Sequence, residues 1–419
     1  MSGLRVGADP RKVLFVLGSG VSSFTCSTVD EITKQVLNPS KETLPDWFFN
    51  YDAQEEFVAL VGFLNVLEEQ ASRTAGKVTY EDLFSMCEHL RRWELKLIQD
   101  PAMRLFRNQV FAESQKHWAF YAQEDKAYLQ ELPLAAIALR AQHLIHRVIR
   151  GLLAGKVEHN DKLNLISDTI EELGAENVDI LTLNHDCLVE SLLDTRGQPW
   201  MDGFDPEVSA DGEVVNFHVD AFEDESRVRV IKLHGGWDWL YAGTNKGDFR
   251  WVKVACDKWI DESTDHNGNT FYELTEKAAS LTGTTTKAAA YTEGLHGELY
   301  LVARELLREY DRIICSGYGW NDFGFNNMLH EWGTKQCWHE ETRRSPRLLL
   351  LHDEDHFGEF MHPLNSARLR RNLWFWPEGW KRGLKEGWAR DHCDWMRCYP
   401  KWLSDTSFRE IDESFLNLV

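Results

Sequence analysis

The sequence contains no C-x-x-C pair. Its eight cysteines, Cys26, Cys87, Cys187, Cys256, Cys315, Cys337, Cys393 and Cys398, are scattered singly. That removes the usual zinc-ribbon signal and reads as reduced, buried thiols. No apolar run approaches the length of a membrane span, so a soluble protein with no membrane partner is expected. Met1 to Lys12 lacks the longer apolar stretch of a signal peptide, and Val13 to Leu17 is too short to supply one. A cytoplasmic location is therefore expected. Basic residues are also scarce: 46 Lys and Arg stand against 67 Asp and Glu, a formal charge of −21. This balance argues against a whole surface that embraces nucleic acid and leaves room only for a local basic patch. No internal repeat is visible.

What is present is enough apolar content, 43% of 419 residues, for a sizeable core and two or three domains. Buried strands are expected at Val13 to Leu17, Val178 to Leu183, Val228 to Leu233, Arg312 to Cys315 and Arg347 to Leu351. Helices are expected at Thr28 to Leu37, Asp186 to Leu193, Leu295 to Arg308 and Phe323 to Trp332. The alternation implies an α/β fold, a Rossmann-like, mostly parallel sheet with helices on both faces. Residues 44–156 carry helical spacing and no convincing strand. Phe57, Leu60, Val61 and Leu64 share one face, and Leu144, Ile145, Val148 and Leu152 share another. We read them as a large helical insertion dividing a domain built from residues 1–43 and 157–362. Residues 236 to 290 hold few clear elements, and Thr282 to Thr286 reads as a loop. A Trp- and Arg-rich C-terminal extension, residues 363–419, follows. Its Trp374, Trp376, Trp380, Trp388, Trp395 and Trp402 suit core packing, partner docking or base stacking, with docking ahead of nucleic acid because the net charge is so negative.

Four strand ends carry polar and glycine residues. Gly18-Ser19-Gly20 and Ser22 follow the first strand, where glycines admit a diphosphate to a helix N-terminus. No third glycine falls at position 23, so the dinucleotide fingerprint is incomplete, and a ligand-free tight turn reads equally well. Asn184 and Asp186 lie two apart past the second strand and can face one pocket, or cap the next helix. His234 and Gly235 follow the third; the histidine is a general base, or one satisfied by a carbonyl. Ser316-Gly317 precedes Asn321 and Asp322, either of which can cap the following helix. Polar strand ends on one edge of an open α/β sheet describe a ligand pocket.

Taken in order, these pieces resemble the sirtuin family, which consumes NAD as a substrate. Gly18, Gly20 and Ser22 match the family's glycine loop, with Ser19 in the alanine place. Asn184 and Asp186 match its asparagine–aspartate motif, with Leu183 for glutamine and His185 for isoleucine. His234 and Gly235 match its histidine–glycine pair, and Ser316 and Gly317 approximate its last glycine–serine stretch. The match covers roughly 1–40 and 160–360. Two features depart from the deacetylases: the interval that holds their four-cysteine zinc module contains only Cys256, and their arginine-bearing loop is not recognisable around Phe24. The resemblance therefore points to the sirtuin-like domains of bacterial anti-phage systems, which hydrolyse NAD+ to nicotinamide and ADP-ribose.

That resemblance implies an NAD+ glycohydrolase acting in abortive infection, an oligomer, and a partner such as a HerA-type ATPase or a short Argonaute. It implies NAD+ as substrate and no zinc. Gly18, Ser19, Gly20 and Ser22 would hold the diphosphate, and Asp186 would meet the nicotinamide amide. Asn184 and His234 would be catalytic, and Ser316 and Gly317 would border the adenosine half. Asp353, within His352-Asp-Glu-Asp-His356, would sit near the adenosine ribose. The same run suggests a metal by its histidine spacing, but an acidic loop is the simpler reading. The alternatives are an NAD-dependent protein deacylase or ADP-ribosyltransferase, and a non-catalytic NAD or ADP-ribose sensor.

Overall fold

A computed structural model describes residues 12–40, 51–97, 100–118, 133–153, 160–204, 214–224, 226–254, 264–265, 268–273, 291, 294–320, 322–338, 348–351, 389–390, 396–399 and 401–416. Within them the protein is a mixed α/β structure built on a mostly parallel sheet. The strands of that sheet are β1 (Val13–Leu17), β2 (Val178–Thr182), β3 (Trp200–Met201), β5 (Val228–Lys232), β9 (Ile313–Ser316), β10 (Leu348–Leu351), β11 (Ala389–Arg390) and β12 (Met396–Tyr399). Their order is β11-β12-β10-β9-β1-β2-β5-β3, and only the β11–β12 pair is antiparallel.

Runs of Val, Ile and Leu buried on both faces fit a parallel sheet covered on both sides. Successive residues of β1 point to opposite faces. Leu14 and Val16 join one apolar cluster with Leu299, Leu306 and Phe325 of helices α8 (Gly294–Glu309) and α9 (Phe323–Trp338). Val13, Phe15 and Leu17 join another with Ile166, Ile170, Leu188 and Leu192 of helices α6 (Asn164–Leu173) and α7 (Leu188–Thr195). Charged groups also lie within the sheet. Asp179 on β2 accepts from Arg229 Nε of β5 at 2.7 Å and from the Tyr310 hydroxyl at 2.7 Å. Pairing and hydrogen bonding are what make such a buried carboxylate tolerable.

Residues of the expected insertion form helices α2 (Tyr51–Ala75), α3 (Tyr80–Glu94), α4 (Pro101–Trp118) and α5 (Pro133–Leu153). They enclose a third cluster around Phe63, Leu67, Leu83 and Ile145. Ile32 and Val36 of α1 (Val29–Leu37) also belong to it, so this helical unit starts before residue 44.

Two expectations are corrected. The stretch read as nearly featureless, residues 236 to 290, holds β6 (Trp239–Thr244), β7 (Phe249–Val254) and β8 (Phe271–Glu273). With β4 (Val214–Asn216) they form an antiparallel sheet, order β4-β7-β6-β8, over Val214, Leu240, Ala242, Val252, Val254 and Phe271. The C-terminal extension is not wholly separate from the α/β body. β12 lies parallel to β10, with Leu348 opposite Met396, and Leu403, Ile411, Phe415 and Leu416 enter the cluster beneath β1. The short helix α10 (Phe408–Ile411) carries part of that contact. Trp374, Trp376, Trp380, Trp388 and Trp395, Thr282 to Thr286, Asn321, and the run from His352 to His356 with Asp353 lie outside the described residues. No helix among the described residues is long and apolar enough to cross a membrane.

Candidate functional site

The register of the sheet gathers the four motifs. Leu17 of β1 is opposite Thr182 of β2 and Ser316 of β9; Thr182 is opposite Lys232 of β5, and Ser316 is opposite Leu351 of β10. The first residues beyond that row are Gly18, Leu183, Leu233 and Gly317, and the next include Ser19, Asn184 and His234. The chain leaves β1 for β2 and β5 on one side, then returns to β9 and β10 on the other. β1 and β9 therefore flank a topological switch point, the place where open α/β sheets bind ligands beyond their carboxyl ends.

A cavity of about 390 Å³ opens there. Gly18, Ser19, Gly20, Ser22, Asn184, Asp186 and His234 line it, so seven of the expected site residues meet in one place. Its walls also include His185, Tyr318 and Asp322, and Tyr80 and Glu81 from the first turn of α3. That turn is fixed by a capping box between Thr79 and Asp82. The helical unit thus forms one side of the site, a role its sequence does not announce.

Ser316 and Gly317 do not line the cavity. The Ser316 hydroxyl, 1% exposed, donates to the Leu351 carbonyl at 3.1 Å and so ties β9 to β10. Gly317 has φ +65°, and a Cβ there would lie 2.5 Å from the Val21 nitrogen. A Cβ on Gly18 would lie 2.5 Å from the Gly317 oxygen, and one on Gly20 2.8 Å from the Gly317 Cα. The three glycines are therefore needed for backbone-to-backbone contact between the loops after β1 and β9. The Gly18 and Gly20 amides donate to the Ser316 and Gly317 carbonyls, each at 3.0 Å. In this arrangement they are not aimed at a diphosphate. Ser19 lies exposed at the cavity rim, while the Ser22 and Ser23 hydroxyls donate to the Ser19 and Gly20 carbonyls at 3.4 and 2.9 Å.

Asn184 is 8% exposed. Its Nδ2 donates to the Gly18 carbonyl at 3.0 Å and to Ser22 Oγ at 3.2 Å, and its own amide donates to Thr182 Oγ1 at 3.1 Å. The side chain fastens β2 to the glycine loop. Asp186 Oδ1 accepts from the Leu188 amide at 3.1 Å, an Asx turn that leads into α7, whose N-cap is Cys187. Its carbonyl accepts from Lys232 Nζ at 2.6 Å. Lys232 is fully buried and is paired with Glu190 at 2.6 Å. Burial alone would lower its pKa; the Cys187 sulfur and the Glu190 and Asp238 carboxyls outweigh that and hold it well above the ordinary lysine value. An ammonium ion thus sits beneath the floor of the cavity and pins the Asn184–Asp186 segment. Cys26 also faces the cavity, but burial and the Asp186 charge push its thiol up to about 11, which leaves it protonated and unreactive at neutral pH.

His234 is 4% exposed. Its Nε2 is 2.7 Å from Asp322 Oδ2 and 3.0 Å from the Tyr291 hydroxyl, and that hydroxyl donates to the same Oδ2 at 2.6 Å. Asp322 Oδ1 accepts from the Phe325 amide at 2.9 Å, capping α9 as expected from sequence. Burial would raise the Asp322 pKa. The hydrogen bond and charge of His234, the Tyr291 hydroxyl and the Phe325 amide outweigh burial and hold the carboxyl well below its usual range. An ionised Asp322 keeps a proton on His234 Nε2. The segment leading into Asp322 is strained: buried Trp320 has φ +59°. Asn326 Nδ2 holds the Trp320 carbonyl at 3.0 Å, and its Oδ1 accepts from the Tyr318 hydroxyl at 2.7 Å.

Asp322 is visible in the sequence as a cap, but its second oxygen's partner is not. Tyr291 carries no sequence signal at all, since no periodic element surrounds it. Among the described residues, no group of three or more His, Cys, Asp or Glu could hold a metal. No protein-family model matches the chain, and no curated protein matches it.

Proposed function

We propose that the protein is an NAD+ glycohydrolase with a sirtuin-like, Rossmann-like catalytic domain. The observation that carries this reading is the His234–Asp322 pair, held at 2.7 Å at the edge of a cavity at the switch point of a parallel sheet. The cavity's charge adds support. Asp186, Asp322 and Glu81 line it, and no Lys or Arg does among the described residues. Such a surface suits the cationic nicotinamide ring and the positive charge that develops on the ribose as the ring leaves.

In the reaction the glycosidic C1′–N bond breaks, and its electron pair goes to the nicotinamide nitrogen. A water oxygen bonds to C1′, and the proton it loses passes to His234 Nδ1, with Asp322 stabilising the imidazolium. The products are nicotinamide, ADP-ribose and one proton released to solvent. Ser19, exposed at the rim, supplies a hydroxyl donor to the diphosphate, while Ser22 shapes the loop through its bond with Asn184. Asn184 acts by holding the glycine loop and Asp186 by lining the nicotinamide end. Depletion of NAD+ would serve anti-phage defence, with assembly into an oligomer and control by a partner such as a HerA-type ATPase or a short Argonaute.

The test is NAD+ consumption by the purified full chain, alone and with co-purified partners, with products separated by chromatography. Nicotinamide and ADP-ribose from wild type and none from His234→Ala are expected. Equal release by the variant would remove His234 from the chemistry. No release under any of these conditions would end the glycohydrolase reading.

A further inference from the structure

We infer that Tyr291 is a positioning residue that sets the proton affinity of His234 through Asp322, an inference that rests on the proposed hydrolase reading for its catalytic meaning. A tyrosine hydroxyl has one proton, and the shortest contact, 2.6 Å to Asp322 Oδ2, claims it. The same hydroxyl oxygen is 3.0 Å from His234 Nε2, which is also 2.7 Å from Asp322 Oδ2. The Nε2 proton is therefore shared between carboxylate and phenol, and the carboxylate oxygen accepts from two donors. The ring of Tyr291 is itself held, stacked on Tyr300 with centroids 4.7 Å apart. Burial with the Asp322 charge beside it pushes the Tyr291 hydroxyl far above its ordinary value, so it stays protonated as the donor.

The consequence concerns charge. A hydroxyl donating to Asp322 takes up part of the carboxylate's electron density, and less remains to stabilise an imidazolium at His234. Tyr291 thereby competes with His234 for the charge of Asp322. Among the described residues, the titratable groups around His234 include Asp322 and Tyr291 in direct contact, His185 with its ring centroid 6.0 Å away, and Tyr318 and Asp186 on the cavity wall. The Tyr318 hydroxyl is engaged with the Asp322 carbonyl at 3.2 Å and with Asn326.

Two variants of the full chain test this, with 13C-labelled histidine followed by NMR across pH and the His234 signal assigned by its loss in His234→Asn. Tyr291→Phe keeps the stacked ring and removes only the hydroxyl, and the His234 midpoint is expected to rise by about half a pH unit or more. Asp322→Asn removes the charge, and the midpoint is expected to fall. The acid limb of NAD+ hydrolysis should move upward in Tyr291→Phe by the same amount as the NMR midpoint. A His234 midpoint unmoved or lowered in Tyr291→Phe overturns the inference. The NMR arm does not need turnover, so the inference can stand or fall if the hydrolase reading fails.

Discussion

The assignment of roles turns on what each polar atom already holds. Asn184, expected to be catalytic, spends its amide nitrogen on Gly18 and Ser22. Asn184→Ala is therefore expected to lower stability by about 1–3 kcal/mol, because it strips partners from buried acceptors. Urea unfolding of the variant measures this, and an unchanged midpoint would show that the staple is dispensable. Loss of activity in that variant would not by itself place Asn184 against a substrate. The types and positions of these residues were legible in the sequence: Asn184, Asp186 and His234 do face one cavity. Their partners were not, because Asp322 and Tyr291 reach His234 across long separations in the chain that no local pattern encodes. Asp322 shows the limit well. As a cap it is local and readable, while as the histidine's carboxylate it depends on the β5 and β9 ends lying on one sheet edge.

Among the elements, strands buried on both faces were readable as short Val, Ile and Leu runs, and β1, β2, β5, β9 and β10 fall within a residue or two of their expected limits. The antiparallel sheet was missed because its strands mix Trp, Tyr, Arg and Lys with small residues in place of a plain apolar run, although both faces are packed: Trp239 and Trp251 join the cluster of Leu299 and Phe325, and Leu240, Ala242 and Val252 join another. A signal was there: Lys246-Gly247, with Gly247 at φ +87°, separates two runs rich in aromatic and β-branched residues, the mark of a hairpin. That sheet is held by an apolar cluster around Val252 and Phe271. The glycine interlock between the β1 and β9 loops gives a sharp prediction. Gly317→Ala must adopt φ +65°, at about 1–2 kcal/mol, and also push its Cβ off the Val21 nitrogen. A clear fall in thermal midpoint is expected, with distortion of the cavity rim. A variant as stable as wild type would mean that the two loops part easily.

For the molecule as a whole, residues far apart in the chain are bound into common cores. Leu403, Ile411, Phe415 and Leu416 sit in the same cluster as Val13, Phe15 and Leu17. Deleting 396–419 is expected to yield insoluble or molten protein, since it uncovers the β10 edge and opens that cluster. Solubility and near-ultraviolet circular dichroism would check this, and a folded, soluble truncation would return the segment to the status of an appendage. The sequence showed the change of composition near the C-terminus but not that a strand there completes the sheet, because pairing beside β10 is a property of topology. The placement of β1 has one more effect. Among the described residues it is the first strand of the sheet in chain order, yet one of its two neighbours, β9, begins only at Ile313. At about 5–20 residues per second, ribosomes need on the order of 15–60 s to bridge that interval. Until then β1 has an unfilled flank and His234 has no Asp322, so the cavity at the carboxyl edge of the sheet is completed only late in synthesis.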